Sequence, residues 1–226
     1  SKLLLDSEVT VESVRAALAE LAQMRPHDLA VVFLAGHGVR RSAEGEMVFL
    51  TSSADMDSKG LLANGVGWSE LGQALARAKG RVLVLLDACH SGVVSQELLA
   101  PNGSLASALV RDQRAGALVF AAAKGRQFSY EAGNTRGLVL DMTTTKLVGG
   151  ESTSQGYFTG ALLQALRAPD TDRNGDGLLQ ASELIDDVSA RVVTATDGMQ
   201  TPWVARREMF GDFTLGKAVS GHAQSN

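Results

Sequence analysis

The sequence predicts an α/β domain, a mostly parallel sheet with helices on both faces. Three observations carry that reading. Leu29 to Ala35 (LAVVFLA) and Arg81 to Leu86 (RVLVLL) are continuous apolar runs rich in branched residues, the pattern of strands buried on both faces. Between them Trp68, Leu71, Leu75 and Ala78 recur at helical spacing, and such strand–helix–strand alternation builds parallel pairs with right-handed crossovers. A third apolar run, Ala115 to Ala122 (AGALVFAA), extends the same sheet.

The elements follow in order. Leu3 to Leu5 is a short apolar run, after which Val11, Val14, Leu18 and Leu21 mark one face of a helix from Thr10 to Met24, with Thr10 as N-cap and Arg25-Pro26 as its stop. The first buried strand ends in Gly36-His37-Gly38, and Met47 to Thr51 is a short strand after a polar turn. Lys79-Gly80 closes the second helix before Arg81. Val93 to Arg114 is polar and small. Lys124 to Gln155, rich in Gly, Ser and Thr, has one short apolar run, Leu138 to Leu140, and reads as a long excursion of the kind that is usually functional. Tyr157 to Ala168 and Ala181 to Thr194 are helical by pattern, and a last strand, about Asp212 to Leu215, follows the Thr201-Pro202 turn. With no internal repeat and no composition break, the whole chain, 1–226, reads as a single domain.

Composition narrows the functions. A chain of 226 residues buries a core without disulfides or a structural metal, and its single Cys supplies no disulfide framework. With 21 Lys and Arg against 25 Asp and Glu the net charge is −4, which argues against a coat for nucleic acid or anionic lipid. Aromatics at 5% are too sparse for a base-stacking platform. No apolar run is long enough to span a bilayer and Ser1 to Asp6 lacks a signal-peptide shape, so a cytoplasmic location is favoured.

Chemistry is expected at the carboxyl ends of the strands, where open parallel sheets bind ligands. The first strand delivers His37 there, and the second delivers Asp87-Ala88-Cys89-His90-Ser91-Gly92. A thiol and an imidazole leaving one sheet edge suffice for acyl transfer: the imidazole takes the thiol proton and the thiolate attacks a carbonyl. His90 is the rival base, but as the immediate neighbour of Cys89 its side chain points elsewhere. Gly36, Gly38, Ala88 and Gly92 let a substrate backbone approach closely.

The order strand–His-Gly, then about 50 residues later strand–Asp-Ala-Cys-His-Ser-Gly, resembles the caspase-like cysteine peptidases, the group of caspases, metacaspases and bacterial relatives. The resemblance continues through Gly116 to Glu131, Gly156-Tyr157-Phe158-Thr159, Gln200-Thr201-Pro202 and Gly211-Asp212-Phe213, nearly the whole chain. It implies a three-layer sandwich, His37 as general base or acid, Cys89 as nucleophile, and the N–H groups of Gly38 and Cys89 as an oxyanion hole. Caspases grip an acidic P1 side chain with Gln two residues before the nucleophile and a basic residue after the next strand. This chain has Asp87 and, by approximate alignment, Glu131, which implies substrates with Arg or Lys at P1. The family's first strand and helix normally precede the segment resembling Leu3 to Thr10, so a gap is expected beside the His37 strand, to be filled by a missing segment or a partner chain. Arg111, Arg114, Arg126, Arg136 and Lys146 are bonds such an enzyme could cut in itself.

Asp172 to Glu183 (DRNGDGLLQASE) fits the EF-hand calcium loop position by position. Asp172, Asn174, Asp176, the Leu178 carbonyl, Gln180 and Glu183 are the candidate Ca2+ ligands, with Gly177 at the sharp bend. The same residues could instead cap the following helix and make Asx turns. The expected function is therefore a cysteine endopeptidase acting on proteins or peptides, with no organic cofactor, nucleic acid or membrane as partner. The alternatives are a catalytically idle, calcium-responsive binding module and another Cys-His acyl enzyme such as an amidase or thioesterase.

Overall fold

The computed structural model of the chain describes residues 1–40, 46–56, 62–88, 117–123, 139–141, 146–148, 156–206 and 212–220. Its centre is a four-stranded sheet of β1 (Leu29–Gly36), β5 (Arg81–Ala88), β6 (Ala117–Ala121) and β10 (Trp203–Arg206), in the order β1-β5-β6-β10. β1, β5 and β6 are parallel, as expected, and β10 closes the far edge antiparallel to β6.

Alternation along the central strand separates two cores. Val82, Val84 and Leu86 of β5 face α1 (Val11–Ala19) and α2 (Trp68–Ala76), joining Val14, Leu18, Trp68, Leu71 and Leu75. Leu83 and Leu85 face α3 (Tyr157–Ala165) and α4 (Ala181–Ala195), joining Phe120, Phe158, Leu162, Leu184 and Val188. A period of two in a strand demands this split, and it makes β5 the floor of both layers. Thr10 caps α1 as anticipated, accepting from the Ser13 N–H at 3.1 Å. The α-helix ends at Ala19 and a 3-10 turn, Glu20–Gln23, carries the chain toward Arg25-Pro26.

Several expectations need correction. β1 is not buried on both faces: Val31 and Phe33 are 53% and 45% exposed, because β1 lies at the sheet edge and the second core engages it only through Leu29 among the described residues. The short strand from Met47 is the ten-residue β3 (Met47–Met56), paired with an unanticipated β4 (Leu62–Gly67). β3 also pairs with β2 (Gly38–Arg40) and, at Asp55, with β8 (Lys146–Val148), which pairs with β7 (Val139–Asp141) to complete a second sheet. The last strand, β11 (Thr214–Lys217), starts two residues later than expected and pairs with β9 (Leu178–Gln180). Among the described residues no helix is long and apolar enough to cross a membrane.

Candidate active site

β1 and β5 run in register along their whole length, from Leu29 opposite Arg81 to Gly36 opposite Ala88. Neighbouring strands lie about 4.8 Å apart, so Gly36 and Ala88, which precede His37 and Cys89 in the chain, are adjacent at one sheet edge. Cys89 itself lies outside the described residues, as do Glu131, His90, Gly92, Arg111, Arg114, Arg126 and Arg136. Lys146 lies in β8.

His37 is the single residue between β1, in the central sheet, and β2, in the second sheet. Two features fix its backbone. Gly36 has a φ of 153°, a conformation that L side chains rarely adopt, and a Cβ built there would stand 3.1 Å from Phe49 Cζ. The Leu50 N–H of β3 donates to the His37 carbonyl at 2.9 Å. In an antiparallel ladder hydrogen-bonded and non-bonded pairs alternate. The bond between Leu50 and His37 therefore makes Gly38 and Phe49, the next pair along, a non-bonded one, and the Gly38 N–H is directed away from β3.

Asp87 is the penultimate residue of β5, on the face shared by Leu83 and Leu85, and is 3% exposed. Its Oδ2 accepts from the Thr159 hydroxyl on the first turn of α3 at 2.6 Å. That helix start is pinned by Phe158, whose ring packs edge-on to Phe120 of β6 with centroids 5.0 Å apart. The segment after β6 is also tied: Gln200, fully buried, donates from Nε2 to the Ala122 carbonyl at 2.8 Å, and the Ala122 N–H donates to Leu86 at 2.8 Å. Neither the Thr159 nor the Gln200 contact could be read from sequence, although both residues stand in segments that carry the resemblance.

The acidic loop brings its residues together around its own backbone. Asp172 accepts from the N–H groups of Gly175 and Gly177, Asn174 from Asp176, and Asp176 from Leu178. Glu183, buried at the start of α4, accepts from Arg173 and Asn174 through Oε1 and from Gln180 through Oε2. Gln180 Nε2 donates to Asp176 at 3.1 Å. Among the described residues no group of three or more His, Cys, Asp or Glu side chains is arranged to hold a metal ion.

A caspase-domain family model matches residues 3–214. The chain belongs to the caspase-domain family. No curated protein matches it. Among solved structures, the crystal structure of protein GSU0716 from Geobacter sulfurreducens is similar to this caspase domain, with a TM-score of 0.54, 19% identity, and coverage of 91% of this chain and 76% of that one. At that identity the likeness is one of fold. The caspase domain is a cysteine-peptidase family that also includes non-catalytic members.

Proposed function

We propose that the protein is a cysteine endopeptidase in which Cys89 attacks the scissile carbonyl and His37 takes the thiol proton. The observation that carries this reading is the register of β1 and β5, which ends with Gly36 opposite Ala88, the residues that precede His37 and Cys89 in the chain. The thiolate adds to the carbonyl, and the oxyanion forms against the N–H groups of Gly38 and Cys89. Protonation of the leaving amine by the His37 imidazolium gives a thioester. Water, deprotonated by His37, then releases the acid and returns the thiol. The outward N–H of Gly38 supports its oxyanion role. Asp87, with Glu131, would receive an Arg or Lys side chain at P1, and the burial of Asp87 suits the floor of a pocket.

Calcium enters this proposal as an occupant of the Asp172–Glu183 loop and takes no part in the chemistry. Its support is the spacing of the six candidate ligands and the helices on either side. Hydrolysis of matched fluorogenic peptides with Arg, Lys or Asp at P1, by the chain and by Cys89→Ala, each with calcium and with chelator, tests both statements. Cleavage after Arg or Lys that vanishes in Cys89→Ala is the expected result. Cleavage after Asp alone would overturn the pocket, and no cleavage would favour the idle module. Calorimetric titration with calcium giving no heat would remove the ion.

A further inference from the structure

The geometry points to Thr159 as a positioning residue for the P1 pocket, a role that rests on the reading of Asp87 as the acid that meets a cationic P1 side chain. The bond from Thr159 to Asp87 is not a cap of its own helix. Thr159 lies in the first turn of α3, whose N-cap is Gly156 and carries no side-chain cap. A threonine there could satisfy itself within the helix or in water. Its hydroxyl instead crosses to the end of β5 and donates to Asp87 Oδ2 at 2.6 Å, a separation of 72 residues in the chain.

The contact is anchored at both ends. Asp87 continues a strand whose preceding residues are buried, and Phe158, next to Thr159, is fully buried against Phe120. A carboxylate held by a hydroxyl on a fixed helix loses its rotational freedom before substrate arrives, so less is lost when a guanidinium binds. The N-terminal end of α3 is also the positive end of its dipole, which favours a carboxylate placed beside it. Thr159 never touches the reacting atoms. It sets the orientation in which Asp87 is offered to the substrate.

The test uses the full chain with Cys89→Ala, so that peptides bind without reacting, and measures Kd for labelled peptides with Arg or with citrulline at P1. Citrulline has the shape of arginine without the charge. Thr159→Val and Thr159→Ala are expected to reduce the preference for Arg over citrulline roughly tenfold, as for loss of one hydrogen bond to a charged group. Thr159→Ser, which keeps the hydroxyl, is expected to retain that preference. In the active enzyme the same variants should raise KM for Arg peptides with kcat little changed. A purely structural role would weaken both peptides alike and leave the ratio intact, and that result overturns the inference. If Thr159→Val does not fold, the Ala and Ser variants make the same comparison. If the Cys89→Ala parent binds Arg no better than citrulline, the Asp87 pocket itself fails and the role of Thr159 falls with it. A parent that discriminates while the Val and Ala variants discriminate equally well removes Thr159 alone.

Discussion

Gly36 and Phe49 set the position of His37: the glycine turns the chain out of β1 at a φ of 153°, and the Phe49 ring occupies the space that a side chain would need, 3.1 Å from an ideal Cβ. Gly36→Ala should therefore cost about 1–3 kcal/mol in backbone strain alone, with some overpacking added. Denaturant melts measure the first effect. Since His37 is the proposed general base, peptidase activity should fall further than the loss of stability explains, and a fully folded Gly36→Ala with unchanged kcat would refute this account of His37.

Replacing Gln200 by Leu removes the buried donor to the Ala122 carbonyl and leaves that oxygen without its side-chain partner. Such a loss typically costs about 1–3 kcal/mol. For a chain of this size each kcal/mol lowers the melting midpoint by roughly 2–4 °C. Calorimetry of Gln200→Leu should thus show a drop of several degrees. Gln200→Glu, which keeps the size but exchanges the donor for an acceptor, should be at least as damaging.

Asp87→Asn tests charge at nearly constant shape. Hydrolysis of Arg and Lys peptides should fall by a factor of about 10 to 100 in kcat/KM, as the proposed pocket trades an ionic acceptor for an amide. Peptides with norleucine at P1 should be cut as before. Equal losses on charged and uncharged peptides would instead mark Asp87 as a fold residue.

Glu183→Gln separates the two readings of the acidic loop. The carboxylate accepts from three backbone N–H groups, those of Arg173, Asn174 and Gln180, so an amide NH2 in its place opposes at least one donor. Without calcium the variant should melt several degrees below the parent, corresponding to about 1–3 kcal/mol. If the loop takes calcium, the parent's melting point should rise with the ion and the variant's should not.

The sequence made the inner strands easy to find and the edges hard. β5 and β6 are apolar because both faces are covered, so their runs stand out. β1 has the same composition, and nothing within it distinguishes a covered face from an exposed one. β10 was hidden by its length, four residues after Pro202, and β4 (LANGVG) by two glycines and an asparagine that suit a strand poorly. Pairing with β6 and β3 supplies what local preference withholds. The places of His37 and Asp87 at the ends of β1 and β5 were legible because strand ends are predictable. Thr159 and Gln200 were not, because their partners lie 72 and 78 residues away.

The join between β6 and β10 bears on how the protein would survive being cut. Trp203 to Arg206 pair with Ala121 to Leu118, Phe158 packs on Phe120, and Gln200 holds Ala122, and every one of these residues lies outside 124–155. A scission after Arg126 or Arg136 would yield two polypeptides that still share the central sheet through β6 and β10, the second sheet through β3 and β8, and the Phe120–Phe158 contact. Such a nicked molecule would migrate as one species in native electrophoresis and as two bands in detergent, its halves separating only when the sheet itself is unfolded.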